Sequence, residues 1–244
     1  MNTALVFAGG TGQRMNSRTR PKQFLELHGK PIIIYTLEHF EKHADIHGIV
    51  VVCLAEWIPY LQQLLQKFNL RKVSAIVPGG RSGQESIHHG LQKIAEIYPP
   101  ESVVLIHDGV RPLINEKVVS DNINSVLTNG SAITVAEAIE TIVLESGDDH
   151  FVGEILDRGR CQVAKAPQSF YLKDILSAHE KAIAEGWQGM TDSATLMQRY
   201  GKPLYAVACE STNIKITTAL DFYIFRAILD SKENSQIYGL SDTP

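Results

Sequence analysis

The sequence predicts an α/β protein with a mostly parallel central sheet and a protruding β-arm. Over the first 137 residues, short apolar runs rich in Val and Ile alternate with segments of helical periodicity. Those runs are apolar at consecutive rather than alternate positions, the pattern of strands covered on both faces. After them the alternation stops and a hairpin pattern with its own turn follows.

Taken in chain order, strands are expected at 4–8, 48–54, 73–77, 103–107 and 132–136, with helices at 32–43, 57–68, 86–97 and 116–127 between them. In the third helix Ile87, Leu91 and Ile94 fall on one face. Right-handed βαβ connections then give the parallel sheet. Within 138–166 the runs 141–144 and 151–156 flank a turn at 146–149, which reads as a β-hairpin. An exposed pair of this length normally needs a partner surface, so a dimerisation arm is expected. Helices near 172–185 and 192–200 and strands near 204–209 and 213–216 follow. Thr218 and Asp221 have capping-box spacing, with Asp in place of Glu or Gln, and open a last helix near 220–229. The polar residues 231–244 read as a loosely ordered tail beyond a single domain of residues 1–230.

At 244 residues the chain can bury a substantial core, and 44% apolar and 20% charged residues are ordinary globular values. A net charge of −4 argues against a general nucleic-acid binder, so any anion site must be local. No apolar run approaches the roughly 20 residues that span a bilayer, and the N-terminus shows no leader pattern. Cys53, Cys161 and Cys209 have neither metal spacing nor a disulfide framework, which fits a reduced, cytoplasmic setting.

Four segments carry chemistry. The first strand runs into Ala8-Gly9-Gly10-Thr11-Gly12-Gln13-Arg14, followed by Pro21-Lys22-Gln23. Glycines let backbone N–H groups approach an anion, and Arg14 and Lys22 supply fixed positive charge, which is the chemistry of holding a polyphosphate. The loop is not a P-loop, and as a dinucleotide fingerprint it has Met15 where the third glycine belongs. Second, His107-Asp108-Gly109-Val110-Arg111-Pro112 ends the fourth strand, on the edge where open α/β sheets bind ligands. Asp108 beside a polyphosphate suits Mg²⁺, although pairing with Arg111 would also shape the turn. Third, the loop from Pro78 to Ser86 can read a base edge, or can form a turn whose N-cap is Ser82 or Gly83. Fourth, Asn213-Ile214-Lys215 sets one lysine on a late segment, while Asp157-Arg158 in the arm could be a plain surface ion pair.

Together these segments resemble the cytidylyltransferases that make CDP-polyols, namely the 2-C-methyl-D-erythritol 4-phosphate and ribitol-5-phosphate enzymes. The markers are Ala8-Gly9-Gly10-x-Gly12-x-Arg14-Met15, Pro21-Lys22-Gln23, His107-Asp108-x-x-Arg111-Pro112, Pro167-Gln168, Thr191-Asp192 and Asn213-Ile214-Lys215, spread over about residues 3–230. The resemblance implies a Rossmann-like nucleotidyltransferase fold, a homodimer joined through the arm, and a reaction of CTP, a polyol phosphate and Mg²⁺. It implies nucleotide contacts from Ala8, Gly9, Gly10, Gly12, Gly80, Ser86 and Asp108, with Asp108 also beside the metal. Arg14 and Lys22 would stabilise charge at the α-phosphate. Thr141 and Arg158 of a neighbouring subunit, with Arg111, Thr191 and Lys215, would hold the acceptor; Arg158 and Lys215 count among the catalytic groups. Three positions depart from the erythritol-type pattern: Gly83, where an arginine is usual, Ala166, where a threonine is common, and Thr212, where an aspartate is frequent. Gly83-Gln84, Pro31-Ile-Ile-Ile-Tyr-Thr36 and Asn213-Ile-Lys-Ile-Thr-Thr218 look more like the ribitol-phosphate branch, which makes ribitol 5-phosphate the expected acceptor and 2-C-methyl-D-erythritol 4-phosphate the nearest alternative. An NAD-dependent oxidoreductase and a nucleotide-binding regulator without turnover are the competing classes. The incomplete fingerprint speaks against the first, and cations drawn from three separate segments against the second.

Overall fold

The computed structural model describes residues 1–9, 20–147 and 150–237. Its strands are β1 (Asn2–Ala8), β2 (Glu26–Leu27), β3 (Lys30–Pro31), β4 (Gly48–Cys53), β5 (Val73–Pro78), β6 (Val103–Asp108), β7 (Ser131–Glu137), β8 (Val143–Ser146), β9 (Phe151–Ile155), β10 (Gln162–Tyr171) and β11 (Ala206–Ala208). The helices are α1 (Ile32–Lys42), α2 (Ile58–Lys67), α3 (Gly83–Ile97), α4 (Glu116–Asn129), α5 (Leu172–Ala184), α6 (Ser193–Arg199) and α7 (Ala219–Ile237).

Seven strands form one sheet in the order β11-β7-β10-β6-β1-β4-β5. β1 pairs in parallel with β4 and β6, β4 with β5, and β7 with β11, whereas β10 runs antiparallel to both its neighbours. The carboxyl ends of β1, β4, β5, β6 and β7 and the start of β10 therefore share one edge. Strand side chains alternate between faces. Val6, Val51 and Leu105 meet α1, α2 and α4 on one side, while Leu5, Val50 and Val104 meet α3, α5 and α6 on the other. The Ile87, Leu91 and Ile94 face of α3 is buried as expected. β8 and β9 pair antiparallel in a separate two-stranded sheet, the expected arm.

Three expectations need correction. β10, a ten-residue strand inside the sheet, carries Pro167 and several polar residues, which disguise it as loop. Its ladder with β7 shifts register between Ala164 and Gln168, so the proline falls where no regular ladder bond is required. Residues 213–216 form no strand: β6 already has β1 and β10 as neighbours, and the segment is held by single bonds instead, such as Ile216 N–H to the Val110 carbonyl. The tail is helical through Ile237, because α7 continues past residue 229. At the start of α7 the capping box forms: Asp221 Oδ2 accepts the Thr217 and Thr218 N–H groups, and Thr218 Oγ1 accepts the Asp221 N–H.

Candidate active site

The Pro-Lys-Gln segment is fixed to the end of the first strand by its glutamine. Gln23, 1% exposed, donates from Nε2 to the Ala8 carbonyl at 2.6 Å. The buried Phe24 ring stacks on Trp57 at 4.9 Å. These anchors hold Lys22 in a one-turn 3₁₀ segment (Lys22–Phe24), in the wall of a cavity of about 320 Å³ shared with Phe7, Ala8, Asp108, Lys215 and Thr217. The Asp221 carboxyl is pushed up by burial but held below its usual range by the N–H groups of its cap and by Lys22. Gly10, Gly12 and Arg14 lie outside the described residues.

Asp108 ends β6 at the centre of this edge. The chain turns directly after it because residue 109 is glycine: a Cβ there would sit 3.0 Å from the Ala8 Cβ and 3.3 Å from the Phe7 carbonyl. Asp108 accepts Arg111 Nε at 2.7 Å on one oxygen and Lys215 Nζ at 2.5 Å on the other. Burial raises its pKa, but attraction to Lys215 and Arg111 outweighs this, and the carboxyl stays below its ordinary range. Arg111 also donates to the Asn213 carbonyl at 2.9 Å, and Asn213 Nδ2 donates to the Ala166 carbonyl at 2.8 Å. This chain of bonds carries Lys215 onto Asp108. His107 has a structural role: it is buried, edge-on to Phe40, bonded through Nε2 to the Arg111 carbonyl, and burial lowers its pKa to about 4.

On the other side of Asp108 and Lys215 is a second cavity, of about 280 Å³, walled by Gly83, Gln84, Arg111, Lys165, Gln168 and Thr191 among others. Phe7, Asp108 and Lys215 belong to both cavities and separate them. The Pro167-Gln168 and Thr191-Asp192 motifs brace this wall. Gln168 donates to Asp192 at 2.9 Å and accepts the Ala194 N–H, while Asp192 caps α6 through the Thr195 N–H. In the base-reading loop the N-cap of α3 is Ser82, which accepts the Glu85 N–H. Ser86 is buried and accepts the Gly80 N–H at 3.0 Å. Gly9 and Gly79 pack against the same hydroxyl, which joins this loop to the end of β1.

The structure thus brings together Ala8, Gly9, Lys22, Gly80, Ser86, Asp108, Arg111, Thr191 and Lys215. Thr141 and Arg158 are on the arm instead, exposed, and in the wall of neither cavity; Arg158 donates to the Ile139 carbonyl at 3.3 Å. Pairing of Asp108 with Arg111 in the turn, one of the two readings its sequence allows, is present. Lys165 escaped sequence reasoning because its signal depends on the irregularity of β10.

A Rossmann-like sheet whose carboxyl edge holds two adjoining cavities, with cations in each and a carboxylate between, defines a nucleotidyltransferase. The family model for IspD, 2-C-methyl-D-erythritol 4-phosphate cytidylyltransferase, matches residues 2–231, and the chain belongs to that family. A ribitol-5-phosphate cytidylyltransferase from Vibrio parahaemolyticus is 53% identical over 239 residues, covering 98% of this chain and 100% of the relative. A 2-C-methyl-D-erythritol 4-phosphate cytidylyltransferase from Geobacillus kaustophilus is 38% identical, covering 94% of this chain and 97% of the relative. Among solved structures, 4-diphosphocytidyl-2C-methyl-D-erythritol synthase from Anaerococcus prevotii superposes with a TM-score of 0.80 at 27% identity, covering 94% and 96% of the two chains.

Proposed function

We propose that this chain transfers CMP from CTP to D-ribitol 5-phosphate, giving CDP-ribitol and pyrophosphate. The observation that carries the transfer chemistry is the pair of cavities sharing Asp108 and Lys215, a layout for two anionic substrates meeting at one point. The choice of acceptor is supported by the higher identity to a ribitol-5-phosphate enzyme than to an erythritol-phosphate one over nearly the whole chain.

In this reading an oxygen of the acceptor phosphate attacks the α-phosphorus of CTP. The bond from that phosphorus to the bridging oxygen breaks, and pyrophosphate leaves with the electron pair. The nucleophile is already an anion, so no general base is required. The protein positions the two substrates and neutralises the developing charge. Lys22 stands on the nucleotide side, Lys215 between the cavities reaches either phosphate, and the Arg14 charge is assigned with Lys22 to the α-phosphate. Gly80 and Ser86 read cytosine, and Arg111 and Thr191 line the acceptor side.

Each oxygen of Asp108 accepts one N–H, which leaves lone pairs on both. A single carboxylate with phosphate oxygens and water is a donor set that suits Mg²⁺. Asp108 would hold the ion, which supplies charge neutralisation at the triphosphate. The chain acts as a homodimer in which Thr141 and Arg158 of one arm complete the partner's acceptor site. Support comes from the arm itself, where Phe151, Val152 and Ile155 of β9, and Ile139 ahead of β8, are all at least 60% exposed and the pair of strands is too small to stand alone. Three unpaired cysteines and a nucleotide substrate fit a cytoplasmic enzyme.

The test is pyrophosphate release with CTP and Mg²⁺ against a panel of alditol phosphates, with UTP and ATP as controls. Ribitol 5-phosphate should give the highest kcat/KM. A preference for 2-C-methyl-D-erythritol 4-phosphate would reassign the acceptor, and no release from any pair would refute the transfer reading.

A further inference from the structure

Lys165 has no part in the mechanism above, yet it stands in the wall of the 280 Å³ cavity with Asp108, Arg111, Gln168 and Lys215. An irregular strand puts it there. From Ala164 to Gln168 β10 advances four residues while its partner β7 covers two, Val135 to Ile133, so two extra residues are looped into β10. In a regular strand Lys165 would face away from Ala164 and Ala166. Bulges re-aim side chains, and here all three residues line the same cavity.

The position gives Lys165 no counter-ion. It is half-buried, and among the described residues its ammonium has no hydrogen bond or ion pair. The two carboxylates of the cavity are engaged elsewhere: Asp108 with Arg111 and Lys215, Asp192 with Gln168 and the first turn of α6. Burial first, and the Arg111 charge second, both disfavour the charged form of Lys165. An ammonium drawn out of water toward another cation is costly unless an anion joins it. That anion must come with the ligand.

We propose that Lys165 contacts the phosphate group of the acceptor, and that it selects a phosphorylated alditol in the cytidylyltransferase reaction. The inference rests on the reading under Proposed function. The acceptor is favoured over CTP because Lys165 lines the cavity with Arg111 and Thr191, and is not in the wall that holds Lys22. A phosphate monoester near neutral pH carries close to two negative charges, enough to engage Lys165 and Lys215 together.

The experiment compares wild type, Lys165→Met and Lys165→Arg by initial rates of pyrophosphate release, varying ribitol 5-phosphate at saturating CTP and then the reverse. Loss of one charge-assisted contact should raise the acceptor KM by about 10-fold or more. The CTP KM should stay within about 2-fold, and Lys165→Arg should recover most of the loss. A structural defect would not split the two KM values in this way. An unchanged acceptor KM overturns the proposal, as does a CTP KM that rises as much. Should Lys165→Met not fold, Lys165→Gln gives the same readings. Inorganic phosphate binding by calorimetry, weaker in Lys165→Met than in wild type, tests the lysine apart from turnover. Equal binding counts against it, whereas a wild type that binds phosphate through Lys165 but transfers no CMP refutes the enzymatic reading alone.

Discussion

Acidification should weaken this fold through one histidine on α5, by an amount that follows from its surroundings. His179 is fully buried, its ring lies nearly parallel to that of His88 on α3 with centroids 5.7 Å apart, and neither ring nitrogen has a hydrogen-bond partner among the described residues. Burial, then the neighbouring His88, lowers its pKa to about 3. In the unfolded chain the value is near 6.5. Between those two values the unfolded state binds a proton that the folded state refuses, so stability is complete above about pH 6.5 and lost as pH falls toward 3. The gap from 6.5 to about 3, at about 1.4 kcal/mol per pH unit, amounts to about 5 kcal/mol when fully developed. At pH 5 only the first one and a half units count, or about 2 kcal/mol. Urea denaturation of wild type and His179→Leu at pH 8 and pH 5 reads this directly. The wild type should lose about 2 kcal/mol more than the variant between the two conditions. At pH 8 the leucine should be neutral or stabilising, because it removes two unpartnered buried nitrogens. His107, whose pKa burial lowers to about 4, destabilises both proteins alike in acid and cancels in the comparison. An identical pH dependence in the two proteins would refute the reasoning.

Two further outcomes follow from the geometry. Lys22→Ala should lower kcat by about 100-fold and Arg158→Ala should raise the acceptor KM; in the proposed dimer a mixed pair would hold one site with both residues intact, so mixing the two impaired proteins at sub-saturating acceptor should raise turnover above that of either alone, and a mixture no more active than its components would return Arg158 to its own subunit's surface. Gly90→Ala should lower the thermal midpoint, because the new Cβ would lie 2.3 Å from Leu5 Cδ1 and 2.8 Å from Val52 Cγ2; overpacking of about 1–3 kcal/mol should exceed the helix preference of alanine, about 1 kcal/mol, and a raised midpoint would mean that α3 can shift outward.

The parallel half of the molecule was legible because burial on both faces leaves an unbroken apolar run. β4 and β6, buried at every position, begin and end within a residue of expectation. Cap chemistry is equally local, and Thr218 with Asp221 form their reciprocal bonds even with aspartate in the box. β10 was hidden because its polarity follows from its neighbours. The side chains of Gln168 and Ser169 are satisfied by Asp192 and Asn122, which lie far away in sequence. α7 ran longer than its composition suggested, with Phe225 packed into the small core of Leu27, Ile32, Val110 and Ile216.

For the site, the sequence alone supplied the candidate residues. A glycine-rich segment after the first strand, a lysine beside it, and a carboxylate at the end of another strand read as a candidate cationic phosphate edge, because glycine freedom and fixed charge belong to the residue itself. Tertiary structure alone decided which charge faces which. Asp108 is shared between Arg111 and Lys215 because the 213–217 segment is drawn against β6, and Lys165 reaches the cavity because β10 loops out two residues. Those contacts depend on burial and register between distant segments, and such distances are set only when the sheet closes.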